Sequence, residues 1–472
     1  MIAAEHAPLE YTFETRRALV APFLERGERE PALVWARTPV ATRTLGESRV
    51  LVLEAADELM ELGLDPGTLV GLVMPSAASA VEALAAAWLA DLVPVLIDPG
   101  LPSGAEVALA RKLGAAFAWR PPEVWERSLD VDALVPTSPS PRLLSAAAAV
   151  KLTSGSTGEP QGVAVSAAAL HADTDTLVRA FELTREDRGL VAVPLSHSYG
   201  FSVLTLPALT HGLGLAFPAR AEAWSAAREL AATFLPSVPA WYRSVLRLEE
   251  RCAPSLHLFV SAGAPLSPEV AREFRARFGR AIHVLYGASE CGSMTFDREG
   301  TAAERGTVGR PLPGVTLELE GAEGDAPGLV TVRSPACGLG YVPERPSARL
   351  TSGRYQTEDL ARWRDGELEL RGRTSDWINV KVRKVDPRAV EAAIAAHPAV
   401  REVVVLGKPL VGSTEESVRA VIVLHGELDF LALTEWCRAR LAAYQLPRSV
   451  VFVDELPRSE RGKLDRQRLL DL

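Results

Sequence analysis

The stretch AAVKLTSGSTGEPQGVAVS occupies Ala148–Ser166. Two short apolar runs, AAVKLTS and GVAVS, flank a loop of glycine, serine and threonine. A Gly/Ser run is a flexible linker in many chains. Between two strands it is also a loop whose backbone N–H groups wrap an anion. A hairpin tip here would present those N–H groups together with the hydroxyls of Thr153, Ser154, Ser156 and Thr157. Gly155 and Gly158 would let the backbone close around the charge. Taken alone, the residues fit an ordinary hairpin turn equally well. No G-x-x-x-x-G-K-[ST] occurs, so the loop is not a Walker A, nor is it a dinucleotide fingerprint.

Working outward, strand-like and helix-like segments alternate. VLEAADELMEL (Val52–Leu62) has helical spacing, and TLVGLVMP (Thr68–Pro75) is a short apolar strand. SAVEALAAAWLAD (Ser79–Asp91) is a helix and LVPVLIDP (Leu92–Pro99) a strand. The alternation continues through LVAVPL, LGLAFP, LHLFVSAG and AIHVLYG, which predicts a buried, mostly parallel sheet of an α/β fold. The segment Pro121–Pro141 is Pro-rich and reads as loop. Over about 301–372 the pattern shifts to short strands with Gly/Pro turns, a small β-rich subdomain. After Arg373 come the helix RAVEAAIAAH, the strands REVVVLG and VRAVIVLHG, the helix ALTEWCRARLAAY and the strand SVVFVDEL, a compact α+β unit. The expected organisation is a large domain over 1–373, a short polar hinge at 374–376 and a small C-terminal domain over 377–472.

Composition narrows the function class. The chain has 472 residues, 47% hydrophobic and 24% charged, with a net charge of −9. An acidic chain offers no basic face to a phosphate backbone, so nucleic acid is not expected as a partner. Its Ala/Arg-rich composition suggests a GC-rich bacterial gene. Cys252, Cys291, Cys337 and Cys437 are widely spaced, which argues against a disulfide framework or a zinc site and fits a reducing cytoplasm. The N-terminus lacks the basic start and apolar core of a signal peptide. The longest apolar run, Ala80–Ile97, is interrupted by Glu82, Asp91 and Pro94, so a membrane span is not expected.

Three polar, Gly-containing segments follow apolar strands: PLSHSYGF (Pro194–Phe201), SAGAPLS (Ser261–Ser267) and YGASECG (Tyr286–Gly292). Ligands of α/β sheets bind outside the carboxyl ends of strands, so these are expected walls of one site. Singly, His197 reads as a core histidine, Tyr286 as packing and Glu290 as a solvated carboxylate. SGSTG and GASEC each lack one glycine of a serine-hydrolase elbow.

In order and spacing, LTSGSTGEPQG, PLSHSYG, SAGAPL, YGASE, GTVGRPLPG, YQTEDL, GRTSDWINV and LPRSERGKLDR resemble the motifs of the adenylate-forming superfamily. That family includes acyl- and aryl-CoA ligases, peptide-synthetase adenylation domains and firefly luciferase. The resemblance runs from about residue 50 to the C-terminus. It implies two α/β sheet subdomains, a small β-rich subdomain and a mobile C-terminal domain. It also implies a two-step reaction. A carboxylate attacks the α-phosphate of Mg·ATP, giving an acyl-adenylate and pyrophosphate. The thiol of CoA or of a carrier-protein phosphopantetheine then takes the acyl group.

By motif match, Thr153, Ser154, Gly155, Ser156, Thr157 and Gly158 would hold the β- and γ-phosphates of ATP. Gly263, Ala264 and Pro265 would line the adenine slot, with Tyr286 stacked on the base and Gly287 beside it. Ser289 would bond the α-phosphate, and Glu290 would bind Mg²⁺. Asp359 would accept from the ribose hydroxyls with Arg373 nearby. Lys463 would bridge the reacting carboxylate and the α-phosphate, and Ser375 would sit at the hinge. The acid pocket would be walled by His197, Tyr199, Phe201, Val238, Trp241, Gly263 and Cys291, with His197 near the reacting groups. PLSHSYGFS carries no aspartate to pair with an α-amino group, so an aryl or fatty acid is expected and an amino acid is not.

The sequence departs from the family pattern at several points. Gln161 replaces a lysine, Glu159 adds a negative charge, and Glu358 stands where glycine is usual. Ser375, Asn379, Val382 and Arg383 alter the hinge and thiol-side loop, which favours a carrier protein over free CoA as acceptor. Two alternatives follow: a β-lactone-forming relative acting on a 3-hydroxy acid, and a non-catalytic acyl- or nucleotide-binding homologue.

Overall fold

The structure, a computed structural model, describes residues 15–102, 104–122, 135–136, 144–154, 160–219, 222–322, 324, 326–344, 347–351, 353–374, 378–380, 383–409, 416–458 and 464–472. The fold is mixed α/β. The chain divides into two compact units, Met1–Leu317 with Thr331–Gln356, and Glu318–Val330 with Thr357–Leu472.

Two sheets build the first unit. One runs in the order Gly340–Val342, Pro160–Val165, Ala149–Ser154, Val93–Ile97, Leu69–Val73, Phe117–Trp119 and Val135–Pro136. The strands Leu69–Val73 and Val93–Ile97 are parallel, and Val95 stands beside Val150. The Ala148–Ser166 stretch forms the expected pair of strands. They are antiparallel, from Ala149 opposite Val165 to Ser154 opposite Pro160. The loop 155–159 between them lies outside the described residues.

In the second sheet, the parallel strands Gly214–Ala216, Arg188–Leu190, Phe234–Ser237, Leu258–Ser261 and His283–Ala288 lie side by side in that order. Gly292–Phe296 then returns antiparallel. The strand Phe234–Ser237 has no clear signal in the sequence, because Pro236 removes a ladder donor. It is tolerated because pairing with the Arg188–Leu190 strand is confined to Phe234 opposite Gly189. That neighbouring strand also stops at Leu190, so most of LVAVPL is loop leading to His197.

The helix Ala78–Leu89 is buried along almost its whole length. Its Glu82 has no exposed surface. The carboxylate accepts from Ser48 Oγ at 2.6 Å and faces Arg43 Nε at 3.4 Å. Burial pushes its pKa up, and Arg43 opposes the shift. Asp91, beyond the helix, receives Arg16 Nε at 2.8 Å. The charges that interrupt the apolar run are thus paired inside the fold. No helix among the described residues is long and apolar enough to cross a membrane.

In the second unit, the hairpin strands pair from Asp359 opposite Arg373 to Arg364 opposite Glu367. Beyond them, Val400–Pro409 runs antiparallel to Glu416–Leu424, which is parallel to Ser449–Val453. The helix Pro387–Ala395 starts where Asp386 accepts from Arg388 N, with proline at its first position. It is tied to the helix Phe430–Arg438 by Trp436 Nε1 donating to Ala393 O at 2.8 Å. Val385, Val390, Ile394, Ala420, Ile422 and Cys437 fill the core between helices and sheet.

His171, on the helix Ala167–Ala180, stacks on His211 with ring centroids 5.9 Å apart. Burial, the neighbouring His211 and Arg179 lower the His171 pKa to about 4, against the pull of Asp175. A histidine held neutral in the fold but protonated when unfolded supports the fold above the unfolded value. That support is lost as pH falls from 6.5 toward 4. The melting temperature is therefore expected to drop across this window. In His171→Asn the drop should be shallower by about 2 °C or more, read by calorimetry.

Candidate active site

The parallel strands of the first unit end in the polar segments singled out from sequence. His197 follows the strand Arg188–Leu190 by way of a short loop. Val238 follows Phe234–Ser237, Gly263 follows Leu258–Ser261, and Ser289 and Glu290 follow His283–Ala288. From the other sheet, Asp98 directly follows Val93–Ile97. Its Oδ2 lies 3.4 Å from His197 Nε2, so the histidine is oriented by a carboxylate from a different sheet.

After His197 the chain makes one tight helical turn, Ser198–Gly200, and then a π-helical turn, Phe201–Thr205. Gly200 is required at this junction, because a Cβ would collide with the carbonyl oxygen of Pro194. The turn brings Ser198 Oγ within 2.6 Å of Ser289 Oγ, a hydrogen bond between two strand ends. Tyr199 OH donates to the carbonyl of Val260 at 2.8 Å. Burial raises the Tyr199 pKa well above the usual phenol range, so this hydroxyl is a neutral donor.

Glu290 is fixed from two sides. Gly338 N donates to its carbonyl oxygen at 2.8 Å. Tyr341 OH donates to its Oε1 at 3.5 Å. The Tyr341 strand lies along the quoted hairpin, with Tyr341 opposite Val163. Glu290 is half-buried, with Ser289 and Tyr286 similarly placed, and Gly263, Ala264, Pro265 and Gly287 are exposed.

Of the expected acid-pocket wall, Tyr199, Val238 and Trp241 are half-buried. A Cβ on Gly263 would lie 3.8 Å from Val238 Cγ1, which brings those two positions together. Phe201 and Cys291 differ, because both are fully buried. Phe201 opens the π-helical turn and lies in the core, edge-on to Trp88. The carboxylate of Asp359 receives Arg373 Nε at 2.7 Å within the second unit. The side chain of Ser154, together with Gly155, Ser156, Thr157, Gly158, Ser375 and Lys463, lies outside the described residues. Asp98, Ser198 and Tyr341 escaped sequence reasoning. Asp98 had a usable signal, an acid at the carboxyl end of a strand.

A family model described as AMP-binding enzyme matches residues 23–342. The chain belongs to the AMP-binding enzymes. A second model, the AMP-binding enzyme C-terminal domain, matches residues 389–463. The sulfoacetate–CoA ligase of Cupriavidus necator is 31% identical over 342 residues, covering 69% of this chain and 67% of the relative. A feruloyl-CoA synthase from Amycolatopsis sp is 28% identical over 474 residues, covering 93% and 96%. The O-succinylbenzoate coenzyme A synthetase of Bacillus subtilis, solved with ATP and magnesium ion, shares the fold. Its TM-score is 0.79 at 23% identity, over 95% of this chain and 98% of that one. As a member of this adenylate-forming superfamily, the AMP-binding enzyme described here is an acyl-adenylating, AMP-forming ligase.

Among the described residues no group of three His, Cys, Asp or Glu side chains could hold a metal ion. Magnesium on a nucleotide asks for less, one or two carboxylates with the phosphates completing its shell. Glu290 fits that demand. Burial raises the Cys291 thiol well above its usual range, with Cys337 and Glu290 adding to the shift. It is protonated and enclosed, unlike a reactive nucleophile. Treating the native protein with N-ethylmaleimide should modify Cys252 alone. Peptide mapping should find Cys291, Cys337 and Cys437 labelled only after denaturation.

Proposed function

We propose that the enzyme joins an aryl or medium-chain aliphatic acid to ATP as an acyl-adenylate, and then passes the acyl group to the thiol of CoA. The observation that carries the first step is the convergence of His197, Ser289 and Glu290 at the ends of parallel strands. The acid arrives ionised, so the chemistry needs stabilisation of negative charge more than it needs a nucleophile. Ser289, held by Ser198, orients the α-phosphate, and Glu290 would hold a magnesium, whose charge would offset that of the phosphates. Thr153 to Gly158 grip the β- and γ-phosphates. Gly263, Ala264, Pro265, Tyr286 and Gly287 take the base, and Asp359 with Arg373 takes the ribose. Lys463 neutralises the carboxylate and α-phosphate as they react.

The half-buried ring of Trp241, with Val238 and Tyr199, supports an acid with an apolar body. Tyr199 spends its hydroxyl on the Val260 carbonyl, leaving its ring as the surface presented. The end-to-end match to a feruloyl-CoA synthase adds support for an aryl acid, and the relatives' thioester products support CoA over a carrier protein.

ATP–pyrophosphate exchange over a panel of aryl, aliphatic and short dicarboxylic acids tests the first step. Exchange is expected with an aryl or aliphatic acid, and silence with all of them would remove the proposal. Lys463→Ala should abolish exchange while ATP binding persists. Mass spectrometry of products with CoA or a phosphopantetheinylated carrier decides the acceptor.

Gln161 stands opposite Thr153 across the hairpin and brings an amide where a cation would add charge. Gln161→Lys is expected to lower the KM for ATP by about fivefold, the worth of one charge-assisted contact, with the KM for the acid unchanged. Steady-state kinetics with each substrate varied in turn would check this.

A further inference from the structure

Asp173 lies on the helix Ala167–Ala180, away from every motif assigned above, and is only 5% exposed. Both oxygens of its carboxylate are engaged. Oδ1 accepts from the backbone N–H of Ser293 at 2.9 Å. Oδ2 accepts from Ser202 Oγ at 2.7 Å, on the π-helical turn. Gly292 packs directly on the carboxylate. With φ of +70°, it has a Cβ position only 2.8 Å from Asp173 Cγ. Glu290 is three residues before Ser293, and Ser198 four before Ser202. The segments 198–202 and 289–293 are therefore joined twice, once by Ser198 to Ser289 and once through Asp173.

A buried carboxylate needs a counter-charge. Lys151 is 1% exposed and sits two residues before Thr153 on the strand that enters the phosphate loop. Asp173 is the carboxylate that acts on it most strongly, ahead of Glu290. Its burial lowers the lysine pKa, and the field of Asp173 opposes that shift. The expected family roles leave both residues unused.

We propose that Asp173, balanced by Lys151, is a positioning residue that sets the turn carrying Ser289 and Glu290, and through it the affinity for nucleotide-bound magnesium. The proposal rests on the reading of Glu290 as the magnesium ligand. Carboxylates and amides that orient a metal ligand from behind are worth about tenfold or more in metal affinity. Removing one partner also leaves the other as a lone buried charge, so the single variants should be worse than the pair removed together.

Calorimetric titration of the full-length protein with ATP at a series of Mg²⁺ concentrations tests this without knowledge of the acid. Asp173→Asn and Lys151→Met should each raise the Mg²⁺ concentration for half-maximal ATP affinity by about tenfold, and the double variant should recover much of it. Ser202→Ala, which keeps both charges, covers the case in which Asp173→Asn does not fold. It should shift the same midpoint by about threefold. Glu290→Gln is measured alongside. If it shifts the midpoint and the Asp173, Lys151 and Ser202 variants do not, the positioning role is overturned. If Glu290→Gln leaves the midpoint unchanged, the assignment of Glu290 is what fails. A loss of melting temperature in the Asp173 or Lys151 variants with an unmoved Mg²⁺ midpoint would reduce the pair to a structural one.

Discussion

Parallel strands all finish on the same edge of their sheet, and the chemistry of this enzyme depends on that constraint. Four segments distant in sequence, ending near His197, Val238, Gly263 and Glu290, are delivered to one edge by register alone. Side chains placed this way start near their working positions, so few extra bonds hold them there. The Ser198–Ser289 hydrogen bond and the His197–Asp98 contact are of that kind, each joining two strand ends that the sheets have already brought close.

The strand ends are also where sequence and structure agree best. An apolar run followed by Gly, Ser and a charged residue is legible because the run must be buried and the polar residues cannot be. The strands at Leu258–Ser261 and His283–Ala288, and the strand pair Ala149–Ser154 and Pro160–Val165, are legible for that reason. Phe234–Ser237 is not, because Pro236 reads as a breaker until the limited pairing on one side of the strand is known.

The site residues divide along similar lines. Ser289 and Glu290 sit in a motif whose spacing carries information. Asp98 and Asp173 act through long-range contacts of 3.4 Å and 2.9 Å that no local pattern encodes. Phe201 differs from the sequence expectation in its burial. An aromatic residue beside a motif looks like pocket lining, but this one opens a π-helical turn whose five residues are all buried. Lys151 reads as a surface residue by type, and only its burial marks it as the counter-charge proposed for Asp173.

That pair bears on how an acidic chain handles a triphosphate. Lys151, two residues before Thr153, is buried, and Asp173 is the foremost group opposing the fall of its pKa, so its charge is committed to the interior. Gln161, across the hairpin, brings no charge. On the proposed reading, grip on the phosphates would fall to backbone N–H groups and hydroxyls, to a magnesium held by Glu290 and to Lys463. Backbone donors are fixed dipoles that bind anions only when their geometry is held. A site built mainly on them depends more on rigid support than one built on flexible cations, and on the proposed reading the double tie between 198–202 and 289–293 would supply it for Ser289 and Glu290.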